Sequence, residues 1–349
     1  MTVLVGLVVG LVALSAGLVL LLVVLRVTAD LREKRRARAH AITRDLVLTV
    51  LMGEPDEIQA ARDTIAGLTG EEGTQAESQI FSYLPKVTGE TRTLLVDLVT
   101  ERGAVGRART LLSSWSAVRR CRGAYRLGAL HRTDAVPQLV PLLQDRTFLV
   151  RRVALRALGA IGDPAAVVPI LRTCGGDDRL TRDVVSALER IGQAGAPAMR
   201  AELSKGMARS SGSGRQAELA TVGLGLVGDV GSVPLLVDAL TTPRPALQAS
   251  AAEALGRIGA PNAIPALVNA LNVPDELVRS AAAGALGDIG DPDAAAGLGL
   301  ALDRAPRMTS RTLAASLLKL GEPGMETLRT HPSPYAAEAL AVHGLRGRV

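Results

Sequence analysis

One helix-ending phrase recurs along the chain with almost fixed spacing, and that period constrains the fold more than any other feature. Taking the apolar residue before each turn as a marker gives Val99, Leu130, Ile161, Ile191, Val227, Ile258, Ile289 and Leu320, separated by 31, 31, 30, 36, 31, 31 and 31 residues. A period in the thirties built from helix, turn and helix specifies a solenoid, in which each unit stacks on the next. The spacing of 36 comes from a polar Ser/Gly stretch at 207–215, read as a loop inserted between repeats.

Each unit accounts for its own local structure. Over 147–161, Val150, Val153, Ala154, Ala157, Leu158 and Ile161 follow i, i+3, i+4, i+7 spacing and give a helix with one apolar stripe. Gly162 stops it, because glycine takes the left-handed conformation without steric cost, and Asp163 with Pro164 starts the next helix as a cap followed by proline at the first position. Asp229 and Asp291 occupy the same place and are read as caps too. Two helices of this size cannot hide both stripes alone, so neighbouring units must cover them. Aromatic residues make up only 2% of the chain, too few for one large core, whereas small residues suit thin, closely packed layers.

At these residues the pattern Val-Arg-x-x-Ala-x-x-Ala-Leu-Gly-x-Ile-Gly-Asp-Pro, carried by Val150, Arg151 and Ala154 and by Val278, Arg279 and Ala282, resembles the short HEAT-like repeats named after phycobilisome-pigment lyases. The resemblance covers about residues 85–325 and implies an all-α solenoid of about eight repeats. For function it implies a binding surface, since similar repeats occur in importins, kinase-like regulators and scaffolds. A tetrapyrrole lyase-like role is carried by the family name alone.

The segment before the repeats has a different character. Residues 3–25 contain no charge, and at 1.5 Å per residue they reach about 34 Å, enough for a hydrocarbon core of ~30 Å. The expectation is a transmembrane helix within 1–28, rather than a cleaved signal peptide, because no Lys or Arg precedes the run. Arg26, Arg32, Lys34, Arg35, Arg36 and Arg38 follow it, so the positive-inside rule predicts a single-pass protein of the inner (plasma) membrane with its N-terminus outside and its repeats cytoplasmic. Those side chains would also meet lipid headgroups. Gly6 and Gly10 have GxxxG spacing, which suits helix self-association. The organisation that follows is a basic juxtamembrane segment at 29–44, a divergent helical cap at 45–84, the solenoid at 85–331 and a C-terminal capping helix at 332–349.

The formal net charge of +6 conceals a segregation of sign: residues 45–100 carry three basic and ten acidic groups, and 101–156 carry twelve basic and three acidic. Arg119, Arg122 and Arg126 share one helical face, and Arg120 recurs one period later as Arg151, so with Arg152 and Arg156 the layers are expected to present a basic stripe for a partner's carboxylates or phosphates. Trp115 would add an aromatic anchor. The competing reading pairs these arginines with capping aspartates and helix ends of adjacent units, or with the acidic 45–100 block.

His40, His131, His331 and His343 have no partner at ligand or triad spacing, Cys121 and Cys174 form no CxxC and are read as buried fillers, and no phosphate-binding or calcium loop is present. The expectation is therefore a protein that is not an enzyme and needs no cofactor or metal. It acts as a scaffold or regulatory subunit that binds a protein partner through the repeats' concave face, with a membrane enzyme such as a bacterial glycosyltransferase as the sharper expectation. The alternative partner is nucleic acid, held by the basic 101–156 block.

Overall fold

The computed structural model describes residues 17–18, 20–28, 40–173, 178–208 and 214–346. Among them every regular element is a helix. The chain divides into two compact units, 1–108 and 109–349.

In the first unit a helical stretch at 40–52 precedes α1 (Pro55–Gly67), α2 (Gly70–Tyr83) and α3 (Gly89–Glu101). Their stripes bury Val47, Val50, Ile65, Ile80, Leu84, Leu95 and Leu98. Arg102 donates from Nη1 to the carbonyls of Ile65 and Ala66 at the C-terminal end of α1, the first of which also accepts from the Leu68 N–H. Glu77, 5% exposed, is held between Arg102 and Arg107. Helix α4 (Ala104–Leu112) carries the chain onward.

The second unit alternates long and short helices: α5 (Ala117–Ala129), α6 (Phe148–Ile161), α7 (Val167–Thr173), α8 (Thr181–Ile191), α9 (Ala196–Ala208), α10 (Gly214–Val227), α11 (Val233–Ala239), α12 (Pro245–Ile258), α13 (Ile264–Ala270), α14 (Glu276–Ile289), α15 (Ala295–Leu302), α16 (Arg307–Lys319), α17 (Glu322–Thr330) and α18 (Pro334–Arg346). In the repeat marked by Leu130 the short helix is reduced to one turn at Val136–Leu139, flanked by 3-10 turns, because Pro137 and Pro141 cannot donate to the ladder.

Two glycine positions recur along the repeats and perform different tasks. The one after the marker is the helix stop: Gly162, Gly192, Gly228, Gly259, Gly290 and Gly321 all have φ between +66° and +77°. After the Leu130 marker His131 stands there instead, at φ +51°. The glycine two residues before the marker lets layers touch. A Cβ on Gly128, Gly159, Gly225, Gly256 or Gly287 would lie 2.7–2.8 Å from the Cα of Ala157, Ala187, Ala254, Ala285 or Ser316 in the next long helix. The position is not glycine at Asp97 and Leu318, before the first and last markers, nor at Glu189, where α8 precedes the longer connection to α10.

Several expectations need correction. Asp163 and Asp291 accept backbone bonds from Ala165 and Asp293, as caps do, but Asp229 makes no cap bond and instead pairs with Arg200 at 2.7 Å. Cys121 is half-buried rather than a buried filler, and Cys174 lies outside the described residues. Among the described residues no helix is long and apolar enough to cross a membrane. This overturns the expected single-pass inner-membrane location. Gly6, Gly10, Arg32, Lys34, Arg35, Arg36 and Arg38 lie outside the described residues, and Arg26 sits within an exposed run.

Candidate functional site

Ten residues before the marker, five of the repeats carry a hydrogen-bond donor that turns back on its own loop. Arg120 Nη1 donates to the carbonyls of Ser114 and Trp115, Arg151 to that of Asp145, and Arg279 to those of Val273 and Pro274. Gln248 reaches Leu240, and Ser310 reaches Ala305 and Pro306. These carbonyls sit in the connection between short and long helices, where no ladder satisfies them, so a donor here removes the cost of burying them.

The stripe expected from Arg120 and Arg151 is therefore largely absorbed by the fold. Arg120 is 8% exposed and forms a two-pronged pair with Asp145, Nε to Oδ2 at 2.8 Å and Nη2 to Oδ1 at 2.9 Å. Burial by itself would push the Asp145 carboxyl up, but bonds from Arg120 and from the Thr147 N–H, with the charge of Arg120, hold it below the usual range. The same bond raises the Arg120 guanidinium. Burial also pushes the neighbouring Cys121 thiol up, against the pull of Arg120, which keeps it protonated and unreactive. Arg119 and Arg122 remain exposed on α5, and Arg126 is half-buried.

Arg152 and Arg156 belong to a different constellation. They rise from α6 with Phe148 at i, i+4, i+8 spacing and face Arg179, Thr181, Arg182 and Asp183 of the next repeat across a cavity of about 610 Å³. Asp183 takes Arg156 Nε at 3.1 Å and lies 3.2 Å from Arg152 Nε. The guanidinium carbons of Arg179, Arg151 and Arg152 stand 4.7, 5.5 and 5.8 Å from the Phe148 ring centre, close enough for cation–π attraction. The lining holds four arginines against Asp183 and the outlying Asp178. Two guanidiniums on one carboxylate already exceed its lone pairs in N–H donors, so the cavity is a cationic cleft with an aromatic floor. The sequence places Arg152 and Arg156 in a basic stripe and does not single out Phe148, Arg179 and Arg182, whose one signal is their phase in the neighbouring repeat.

Twelve residues before the marker stand Val118, Leu149, Arg179, Arg215, Ala246, Leu277 and Met308, all exposed. The four large apolar members are 53–69% exposed. Trp115, expected as an anchor, projects beside Val118 at 83% exposure. The entry edges of the long helices thus form a ridge with apolar ends and a basic middle.

Comparison with known proteins places this arrangement. A family model described as HEAT repeats matches residues 108–190, 202–272 and 233–319. No curated protein matches the sequence. Among solved structures, the complex of CpcE and CpcF of phycocyanin lyase from Nostoc sp. PCC7120 is 26% identical over 68% of this chain and 92% of that one, with a TM-score of 0.34. Human deoxyhypusine hydroxylase is 23% identical over 72% and 99%, with a TM-score of 0.33. The karyopherin Kap121p bound to the SUMO protease Ulp1p superposes better, with a TM-score of 0.54 at 12% identity, over 82% of this chain and 38% of that one. That likeness shows a shared fold.

Proposed function

Because this chain belongs to the HEAT-repeat family, whose model covers more than half of it, we propose that it is a scaffold that binds a protein partner and performs no catalysis itself. The observation that carries this reading is the recurrence of Val118, Leu149, Leu277 and Met308, exposed at one repeat position. Water-exposed apolar side chains in register mark a contact surface rather than scattered surface residues.

Stacked helices stand about 8–10 Å apart, and a chain in the polyproline II conformation advances about 9 Å for each three-residue turn. A partner segment in that conformation presents every third side chain to successive layers, so the ridge suits an extended segment rather than a folded face. Kap121p, with which the chain shares its fold, is described as bound to a protein partner, and the present reading agrees with that. The membrane-embedded partner expected from the sequence rested on the membrane location and is not carried forward.

Selection of a random-peptide display library on the purified full chain tests the proposal. It should enrich linear motifs with apolar residues at i and i+3, and the enriched peptides should lose binding to Leu149→Asp and Leu277→Asp variants. Failure to enrich any motif, or motifs that ignore both substitutions, would reject it.

A further inference from the structure

We propose that the cavity between α14 and α16 is a slot for a partner's carboxylate, taken up as the partner segment crosses the ridge from Leu277 to Met308. This deepens the scaffold reading and rests on it. The cavity, of about 350 Å³, is lined by Arg279 of α14, by Arg304 and Pro306 of the connection to α16, and by Asn272, Thr309 and apolar neighbours. Among the described residues no carboxylate belongs to that lining. The carboxylates nearby in sequence are engaged elsewhere: Asp275 accepts the Leu277 and Val278 N–H groups, Glu276 accepts from Thr309 Oγ1 at 3.1 Å, and Asp303 lies 3.2 Å from His331 Nε2.

The repeats themselves show what the slot is shaped to hold. Arg120 and Arg279 both stand ten residues before a marker, and each donates from Nη1 to the carbonyls six and five residues upstream: Ser114 and Trp115 for one, Val273 and Pro274 for the other. The remaining edge of Arg120, Nε and Nη2, is taken by Asp145, sixteen residues before the next marker. The position equivalent to Asp145 beside Arg279 is Arg304. The two backbones match there, since Asp145 and Arg304 each donate their N–H to the carbonyl three residues back, Leu142 and Ala301. The repeat that would supply a carboxylate thus supplies a second guanidinium, and Arg279 Nε is buried with no acceptor. A buried donor of this kind carries a cost that an incoming acceptor removes.

The chemistry selects the ligand class. A carboxylate meets the Nε and Nη2 edge of a guanidinium through two parallel N–H bonds, as Asp145 does on Arg120, and Arg304 adds a second positive charge. Asp145 also accepts the Thr147 N–H, whereas the equivalent residue here, Pro306, has no N–H to give, so the guanidiniums alone hold the ligand. Leu277, two residues before Arg279, and Met308, next to Thr309, are 57% and 69% exposed. A segment that seats apolar side chains on both therefore carries an intervening acidic side chain past the slot. A polynucleotide would meet the same charges, but those two flanks offer nothing to a sugar–phosphate chain. The lining also holds no aromatic ring on which a base could stack.

Two measurements on the full chain decide it. In urea unfolding, Arg304→Asp should raise the midpoint, because the new carboxylate pairs with Arg279 as Asp145 does with Arg120, and Arg304→Asn should raise it less or not at all. In fluorescence anisotropy the probes are labelled peptides of four Leu-Pro-Glu or four Leu-Pro-Gln units and a twelve-nucleotide single-stranded DNA. The Glu peptide should bind about tenfold tighter than the Gln peptide, the scale of one hydrogen-bonded contact to a charged group. Arg304→Asp should abolish that preference, and Arg172→Asp, the same charge change at an exposed arginine outside the slot, should leave it intact. No rise in midpoint with Arg304→Asp, or an equal rise with Arg304→Asn, overturns the slot, as does a Glu preference that survives Arg304→Asp or is lost in Arg172→Asp. Equal binding of the two peptides, with both lost in Leu277→Asp, overturns the slot but keeps the scaffold reading. Binding of no peptide overturns both. DNA bound more tightly than the Glu peptide, and released in Arg304→Asp, identifies a phosphate site and also overturns the proposal.

Discussion

Arg120 and Asp145 form a nearly dry ion pair: the two side chains are 9% and 10% exposed and joined by bonds of 2.8 and 2.9 Å. The pair links the first turn of α5 to the loop that opens α6, one repeat later. Removing one partner strands the other charge in a buried site, so Arg120→Met and Asp145→Leu should each destabilise the second unit by about 3 kcal/mol. The double variant should recover part of that loss, because neither charge is then left alone. Urea unfolding of the four proteins gives the coupling directly.

The same pair sets an acid limit. Asp145 is held below its ordinary value in the folded chain, so its contribution is complete above the unfolded aspartate value of about 3.9 and is lost as pH falls through the lower folded value. Asp134 behaves in the same sense, chiefly through its bond from Arg132. Stability should therefore fall below about pH 4, and Asp145→Asn should start lower but show a shallower fall. Parallel slopes for the two proteins in thermal melts from pH 5 to pH 3 would count against this account.

Interlayer glycines and helix-interior glycines should respond to alanine with opposite signs. A Cβ on Gly256 would sit 2.7 Å from the Cα of Ala285, whereas one on Gly284 meets nothing within 4 Å. Gly256→Ala should cost about 1–3 kcal/mol through overpacking. Gly284→Ala should gain about 0.5–1 kcal/mol through helix propensity. Denaturant midpoints separate the two without further assumptions.

His131 follows the Leu130 marker in a left-handed conformation, at φ +51°, that the six later markers assign to glycine. Comparing His131→Gly with His131→Ala removes the imidazole in both cases and isolates the backbone term. The glycine variant should be the more stable by about 1 kcal/mol. Equal melting temperatures would show that the turn relaxes out of the left-handed region once the imidazole is gone.

Much of the fold was legible because its determinants are local and repeat. The apolar stripe over 147–161, the stop at Gly162 and the caps at Asp163 and Asp291 each depend on residues within one turn of one another, and a period near 31 repeats that grammar along the chain. The site was legible only in part. Arg119, Arg120 and Arg151 look alike in sequence, yet Arg120 is spent on Asp145 and two carbonyls while Arg119 faces water. Asp229 has the phase of a cap but binds Arg200, 29 residues upstream.

The sequence by itself determined a helical repeat stack, the places where its helices stop, and the segregation of charge into an acidic and a basic block. Only the tertiary structure decided which charges are consumed inside the stack and which line a cleft. The physical reason is that a guanidinium's environment is set by the layer beside it, about thirty residues away in sequence. Local rules extend over a single helical turn, and the partners of Arg120, Arg156 and Arg200 lie 25, 27 and 29 residues off.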